Sequence, residues 1–191
     1  QPSFSDPYAG VSATPPVGSA CQPQITNGGN YTPGRYCTGL DLRNNAPDKI
    51  VNLAPGTYYF DNTFKLTNNF TVNGNGGVTL VFNVPSESNF DLGNNNIFNI
   101  TAPNSGALSG IAMMSLTSGY PFRFFNNNII NVQGAFYFPN QALVMNNNLN
   151  SALCTQLVAL TVEIANNGTM ASTCPGSGIK GISGGTVALV E

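Results

Sequence analysis

Eight acidic side chains, six basic ones, four cysteines and no histidine are what this chain of 191 residues offers, beside its hydroxyls, for acid–base, nucleophilic or metal chemistry. The acids are Asp6, Asp41, Asp48, Asp61, Glu87, Asp91, Glu163 and Glu191. Cleaving a glycosidic bond needs two carboxylates converging on it from about 5 to 10 Å apart. On the repeat set out below, only Asp61 with Glu87 or with Asp91 could meet on adjacent turns, and neither pair has a guarding Arg or His. A lyase would need several acids around Ca²⁺ and a basic partner, and no such cluster is written here. Without His there is no ordinary base to activate a nucleophile and no finger-type zinc site. The glycine-rich stretches "NGNGG" at 73–77 and "GSGIKGISGG" at 176–185 lack a phosphate-loop pattern and read as tight corners. The expectation is a protein with no catalytic residues, no cofactor and no metal.

Charge points the same way. Only 7% of residues are charged and the net charge is -2, so polarity rests on Asn, Thr, Ser and Gly. The scattered Lys and Arg residues offer no basic patch, which argues against nucleic acid and anionic membranes. Weak net charge leaves little to resist self-association. No run approaches the 18 apolar residues of a membrane span, so no membrane insertion by this segment is expected, and no signal peptide opens it. The cysteines form no Cys-x-x-Cys. Of three connectivities, two local bridges, Cys21 with Cys37 and Cys154 with Cys174, fit best, each closing a loop worth about 3 kcal/mol in the chain-entropy model. Four reduced thiols are the alternative. Disulfides imply an oxidising compartment, at the cell surface or outside it.

What must position these residues is a repeat. Six copies of apolar-x-apolar-x-Asn-Asn run through the chain: Leu40 to Asn45, Phe64 to Asn69, Phe90 to Asn95, Phe122 to Asn127, Leu143 to Asn148 and Val162 to Asn167. Their spacing is that of a solenoid. Alternation with period two buries the first and third residues of each copy, and the Asn pair makes a corner, since Asn tolerates left-handed backbone. A Gly opens a strand in a second column, at Gly56, Gly77, Gly110 and Gly134, and short apolar stretches such as "FTV", "IFNI" and "IINV" lie between. The pattern predicts an all-β, single-domain parallel β-helix over 21–191, with three short strands per turn, about six turns and disulfide-capped ends.

Equivalent residues of successive turns sit about 4.8 Å apart. Asn44, Asn45, Asn68, Asn69, Asn94, Asn95, Asn126, Asn127, Asn147, Asn148, Asn166 and Asn167 are therefore expected to bond amide to amide as a ladder. The outward residues in the same copies are Asp41, Lys65, Asp91, Arg123, Val144 and Glu163, whose charges alternate over the first four. The Cys21–Cys37 loop is placed to close one end of a rod roughly 30 Å long, and the Cys154–Cys174 loop with the last strand "GTVALVE" the other. Residues 1–20 are rich in Pro, Ser and Gly and read as an extended lead-in or linker. The one hint of recognition is "TSGYPFRFF" at 117–125, where Tyr120, Arg123 and Phe125 fall outside the core register. Packing beneath their own loop is the blander reading.

The sequence resembles the C-terminal region of Tad/Flp-type (tight adherence) pilus assembly proteins of the G-like class. The matching pieces are "DPYAG" at 6–10, "YTPGRYCTGLDL" at 31–42, "VNLAPGTYYFDN" at 51–62, "GAFYFPNQ" at 134–141, "CTQLVA" at 154–159 and the terminal "VALVE". The resemblance implies an exported bacterial envelope protein that serves pilus assembly or attachment and has no enzymatic activity. Its partners would be other pilus or fibre subunits, copies of itself end to end, or a surface glycan. Two alternatives stand beside it: a carbohydrate-active β-helix, and an ice- or glycan-binding solenoid, for which only Thr63, Thr67 and Thr71 supply a hint of a flat Thr row. Neither a hydrophobic membrane segment nor an Asp-x-Ser-x-Ser metal motif, both found among such proteins, occurs here.

Overall fold

The computed structural model describes residues 5–124, 126–146, 150–165, 169–171 and 179–180. Within them the chain winds as a parallel β-solenoid. Its first four turns each hold three strands: β1 (Gly29–Tyr31), β2 (Gly34–Tyr36) and β3 (Gly39–Leu42), then β4 (Ile50–Leu53), β5 (Gly56–Phe60) and β6 (Thr63–Leu66). β7 (Thr71–Gly74), β8 (Val78–Phe82) and β9 (Phe90–Leu92) make the third turn, and β10 (Ile97–Thr101), β11 (Ile111–Ser115) and β12 (Phe122–Phe124) the fourth. In the fifth and sixth turns the corners are stretched enough for single long strands, β13 (Ile129–Met145) and β14 (Asn150–Ile164), to cover all three faces, and β15 (Thr169–Ala171) begins the next.

Every pairing between turns is parallel, and the predicted register holds. Leu40, Phe64 and Phe90 stack, as do Phe122, Leu143 and Val162. The break between β9 and β12 is bridged by the rings of Phe90 and Phe122, whose centroids are 3.8 Å apart. Inward residues of the three faces form one continuous core with a spine of aromatic rings, Tyr36, Phe60 and Phe82 stacking from turn to turn. Such rings bury large apolar areas and dominate the energetics of a core.

The glycine column and the Asn corners have one cause. Gly56, Gly77, Gly110 and Gly134 all have positive φ, so the chain turns from the first face to the second with a backbone that a side chain would strain. At the opposite corner Asn69, Asn95, Asn126 and Asn127 occupy the left-handed region at φ between 58° and 68°. Asn is the residue other than Gly that does so most readily.

The N-terminal end is closed. Cys21 bridges to Arg35 and Ile25 to Leu40 in parallel pairing, which lays a half-turn beneath β2 and β3, with Ile25 fully buried against the core. The Cys21–Cys37 disulfide locks this half-turn to the first full turn. Cys154 is buried and also disulfide-bonded, while its expected partner Cys174 and the strand "GTVALVE" lie outside the described residues.

The lead-in is not a free linker over its described part. Residues 5–20 run across the second face from the sixth turn back to the first. Tyr8 is fully buried on Val81, Ile111, Met114, Ala135 and Tyr137, and Ala13 is buried in the same cluster. Asp6 accepts a hydrogen bond from the Tyr137 hydroxyl at 2.8 Å, and the Tyr8 hydroxyl donates to Gln156 Oε1 at 3.0 Å. The cause lies in the strands beneath. "VTLVF" and "IAMMS" are buried at every position, so their outward side chains are apolar too and need a cover.

Candidate recognition surface

The corner asparagines act differently from a simple amide ladder. Asn44 Oδ1 accepts from the backbone N–H of Asn68 at 3.2 Å, and Asn68 Oδ1 from that of Asn94 at 2.7 Å. In these two pairs the first Asn thus caps the backbone of its equivalent on the next turn; the left-handed bend falls on the second Asn at Asn69 and Asn95 and on both at Asn126 and Asn127. A third residue completes the corner. Asn96 and Asn128 are fully buried; Asn96 Oδ1 accepts from the N–H of Phe70 at 3.0 Å, and Asn128 Oδ1 from that of Asn96 at 2.7 Å. Their amide groups donate to the carbonyls of Thr67 and Gly93. Buried amides are stable there because each reaches a backbone partner. Asn45 and Asn127 lie at the same corner, and Asn147, Asn148, Asn166 and Asn167 lie outside the described residues.

An amide-to-amide ladder does exist, on the outward side of the first face. Asn30, Asn52, Asn73, Asn99 and Asn131 are in register on β1, β4, β7, β10 and β13. Each Nδ2 donates to the Oδ1 of the turn before, at 3.0, 3.0, 2.8 and 2.9 Å. The signal was present in the centre of "VNL", "VNG", "FNI" and "INV", where an Asn sits between two buried apolar residues. Beside the ladder runs a second outward column of Ile50, Thr71, Ile97 and Ile129. On its other side Thr101 and Gln133 lead into a cleft of about 470 Å³ that Asn75, Gly77, Asn104 and Ser105 complete. Neither Asp, Glu, Lys nor Arg lines it.

The charged residues among those described lie outside the cleft and are mostly tied down. Lys65 does stack between Asp41 and Asp91 in backbone register, but none of the ion pairs among the described residues joins Lys65 to either acid. Arg43 reaches back two residues to Asp41, and Arg123 reaches Glu87 at 2.7 Å on the 3₁₀ turn before β9. Long side chains choose the nearest partner over the one directly above. Val144, expected outward, is 5% exposed. Asp61 is held by Arg35 and accepts from Asn83, so the two acids named above as a hydrolytic pair, Asp61 and Glu87, each face an arginine that the sequence did not reveal.

The stretch around Tyr120 follows the blander reading. The Tyr120 hydroxyl donates to the carbonyl of Val84 and contacts Thr117 Oγ1 at 3.0 Å, its ring packs against the core, and Arg123 is engaged with Glu87. Phe125 lies outside the described residues. At the far end, Leu160, Val162 and Ile164 of β14 are 66%, 44% and 46% exposed. Val162 and Ile164 stand in register with the buried Leu143 and Met145 and, among the described residues, extend the core column to this end. Among the described residues no group of three or more Cys, Asp or Glu gathers as a metal site would require.

Comparison with family models, with curated proteins and with solved structures returned no match.

Proposed function

We propose that this chain is a non-enzymatic structural or adhesive module of a bacterial Tad-type pilus or surface fibre, working in an oxidising compartment outside the cytoplasm. One observation carries the reading. Three of the six sequence pieces that resemble pilus assembly proteins, at 6–10, 134–141 and 154–159, meet in one unit of the structure. "DPYAG" supplies Asp6 and Tyr8, "GAFYFPNQ" supplies Tyr137 beneath them, and "CTQLVA" supplies Gln156, which receives the Tyr8 hydroxyl. A strap and its seat that resemble the same family together are better support than corner residues any solenoid would share.

The disulfide at the closed end favours export, since such bonds do not persist in a reducing cytosol. The stacked column gives stiffness, and Leu160, Val162 and Ile164, exposed on β14, are apolar side chains that a neighbouring subunit could cover. The carbohydrate-active alternative would need Asp61 and Glu87 free to face one bond, and arginines hold both.

The test is made in the organism that produces the chain. Antibody labelling of intact cells and of sheared fibres should detect it, with its cysteines oxidised, and deleting it should reduce fibres or attachment. A cytosolic location with reduced thiols, or fibres and attachment unchanged by the deletion, overturns the reading.

A further inference from the structure

We infer that the outward side of the first face, together with the cleft beside it, is a binding site for a neutral, linear oligosaccharide. The proposal rests on the surface-module reading above and deepens it by naming the ligand class and the residues.

The argument starts from unused valences. A primary amide has two N–H donors and two acceptor lone pairs. In an interior ladder member such as Asn73, one donor goes to Asn52 and one lone pair receives Asn99, so one of each is left facing out. The turns repeat this donor and acceptor about every 4.8 Å along the rod. A sugar hydroxyl is itself both donor and acceptor, so a chain of sugars laid along the stack meets the same pair at each step. Because the ladder already fixes the amides, little rotamer freedom is left to lose on binding.

The flanks narrow the ligand class further. Ile50, Ile97 and Ile129 offer an apolar ridge for the C–H faces of sugar rings. The cleft offers Asn75, Thr101, Asn104, Ser105 and Gln133, all amides and hydroxyls. No charged group lines the cleft, and beside the ridge Asp48 already accepts from the Ile50 N–H while Lys49 is engaged with the carbonyls of Arg43 and Asn44 and the Phe70 ring. A uronate, a sulfate or a phosphate therefore finds no unengaged counter-charge in the cleft, and desolvating a charged ligand would go uncompensated. A neutral polyhydroxylated chain is what this surface complements.

The experiment uses the whole chain and linear hexasaccharides of glucose, of mannose and of N-acetylglucosamine, with hexagalacturonate as an acidic control. Side-chain amide resonances of Asn and Gln are followed by NMR and affinities by calorimetry. At least one neutral sugar should bind saturably and shift the amides of Asn73, Asn99, Asn131 and Gln133, with hexagalacturonate weaker. Asn104→Ala with Gln133→Ala leaves the ladder intact and should weaken binding by about tenfold or more, the loss expected for two hydrogen-bonding groups, with an unchanged melting temperature. No saturable binding at millimolar sugar, binding indifferent to the double variant, or equal binding of the acidic control each overturns the proposal. A chain that sits in fibres yet binds no sugar fails this inference alone, whereas a cytosolic chain that binds sugar fails only the functional reading.

Discussion

Replacing Tyr8 by Ala tests whether the N-terminal strap is part of the fold. The ring is fully buried, packs on Val81, Met114 and Tyr137, and lies 5.5 Å from the Tyr137 ring. Truncating a buried aromatic costs about 3 to 5 kcal/mol. The hydroxyl bond to Gln156 adds about 1 kcal/mol, to be measured separately in Tyr8→Phe. Against a total stability of about 5 to 15 kcal/mol, the Ala variant should lose a large share and the Phe variant little. Urea unfolding followed by circular dichroism gives both numbers, and limited proteolysis between residues 9 and 20 shows whether the strap has lifted. The mechanism adds a second signature. A lifted strap uncovers the apolar outward side of β8 and β11, so Tyr8→Ala should also bind a hydrophobic dye and self-associate. If Tyr8→Ala stays within about 0.5 kcal/mol of the parent, with no new cleavage and no dye binding, the strap is a passenger and the reasoning fails.

The asparagine ladder predicts a dependence on position. Asn99→Ala removes two amide bonds and Asn30→Ala only one, so denaturant midpoints should place the first about 1 kcal/mol below the second. Changing Cys21 and Cys37 to Ser together should cost about 3 kcal/mol for a loop of this size, and exchange-protected amides should be lost first around Ile25 and Leu40. Stability should also fall in alkali. Burial first, then the hydrogen bond and charge of Asp6, push the Tyr137 phenol up to about 12. Burial, then Tyr36, raises Tyr58 as well. An unfolded tyrosine ionises near pH 10. The folded state therefore keeps protons that the unfolded chain gives up, so this stability is fully present below about pH 10 and is lost as pH rises through about 12. Unfolding midpoints taken across that window should drop, and Tyr137→Phe should flatten the curve.

The stacking register was legible because a solenoid asks the same local question on every turn. Leu40, Phe64 and Phe90 sit in equivalent places, and the Asn pair that follows each reports the same corner, so repetition stood in for an alignment. The Cys21–Cys37 bridge was legible from its short loop. The strap was not, since Pro and Gly around Tyr8 have the composition of a linker, and the signal lay instead in the missing alternation of "VTLVF" and "IAMMS". The ladder was assigned to the wrong column. The doubled corner asparagines are the more numerous, but Asn44 and Asn68 turn their side chains toward backbone N–H groups, and the single Asn at the centre of β1, β4, β7, β10 and of the first-face part of β13 is the one that reaches its equivalent. Ion pairs escaped for a different reason: Arg35 and Arg123 reach partners 26 and 36 residues away. That distance depends on loop lengths, which the repeat does not fix.

A rod made of like turns can change its length by duplication. Thr71 and Ile97 are equivalent, so copying the 26 residues from 71 to 96 would insert one whole turn, lengthen the asparagine row by one rung and disturb neither neighbour. The strap obeys a different rule, because it must reach from Cys21 in the half-turn beneath the first turn to Tyr137 and Gln156 in the fifth and sixth. Each inserted turn adds about 4.8 Å to that reach, a demand of one or two extra extended residues. The N-terminal segment is thereby a ruler for the column, and a lengthened descendant would have to grow in both places at once.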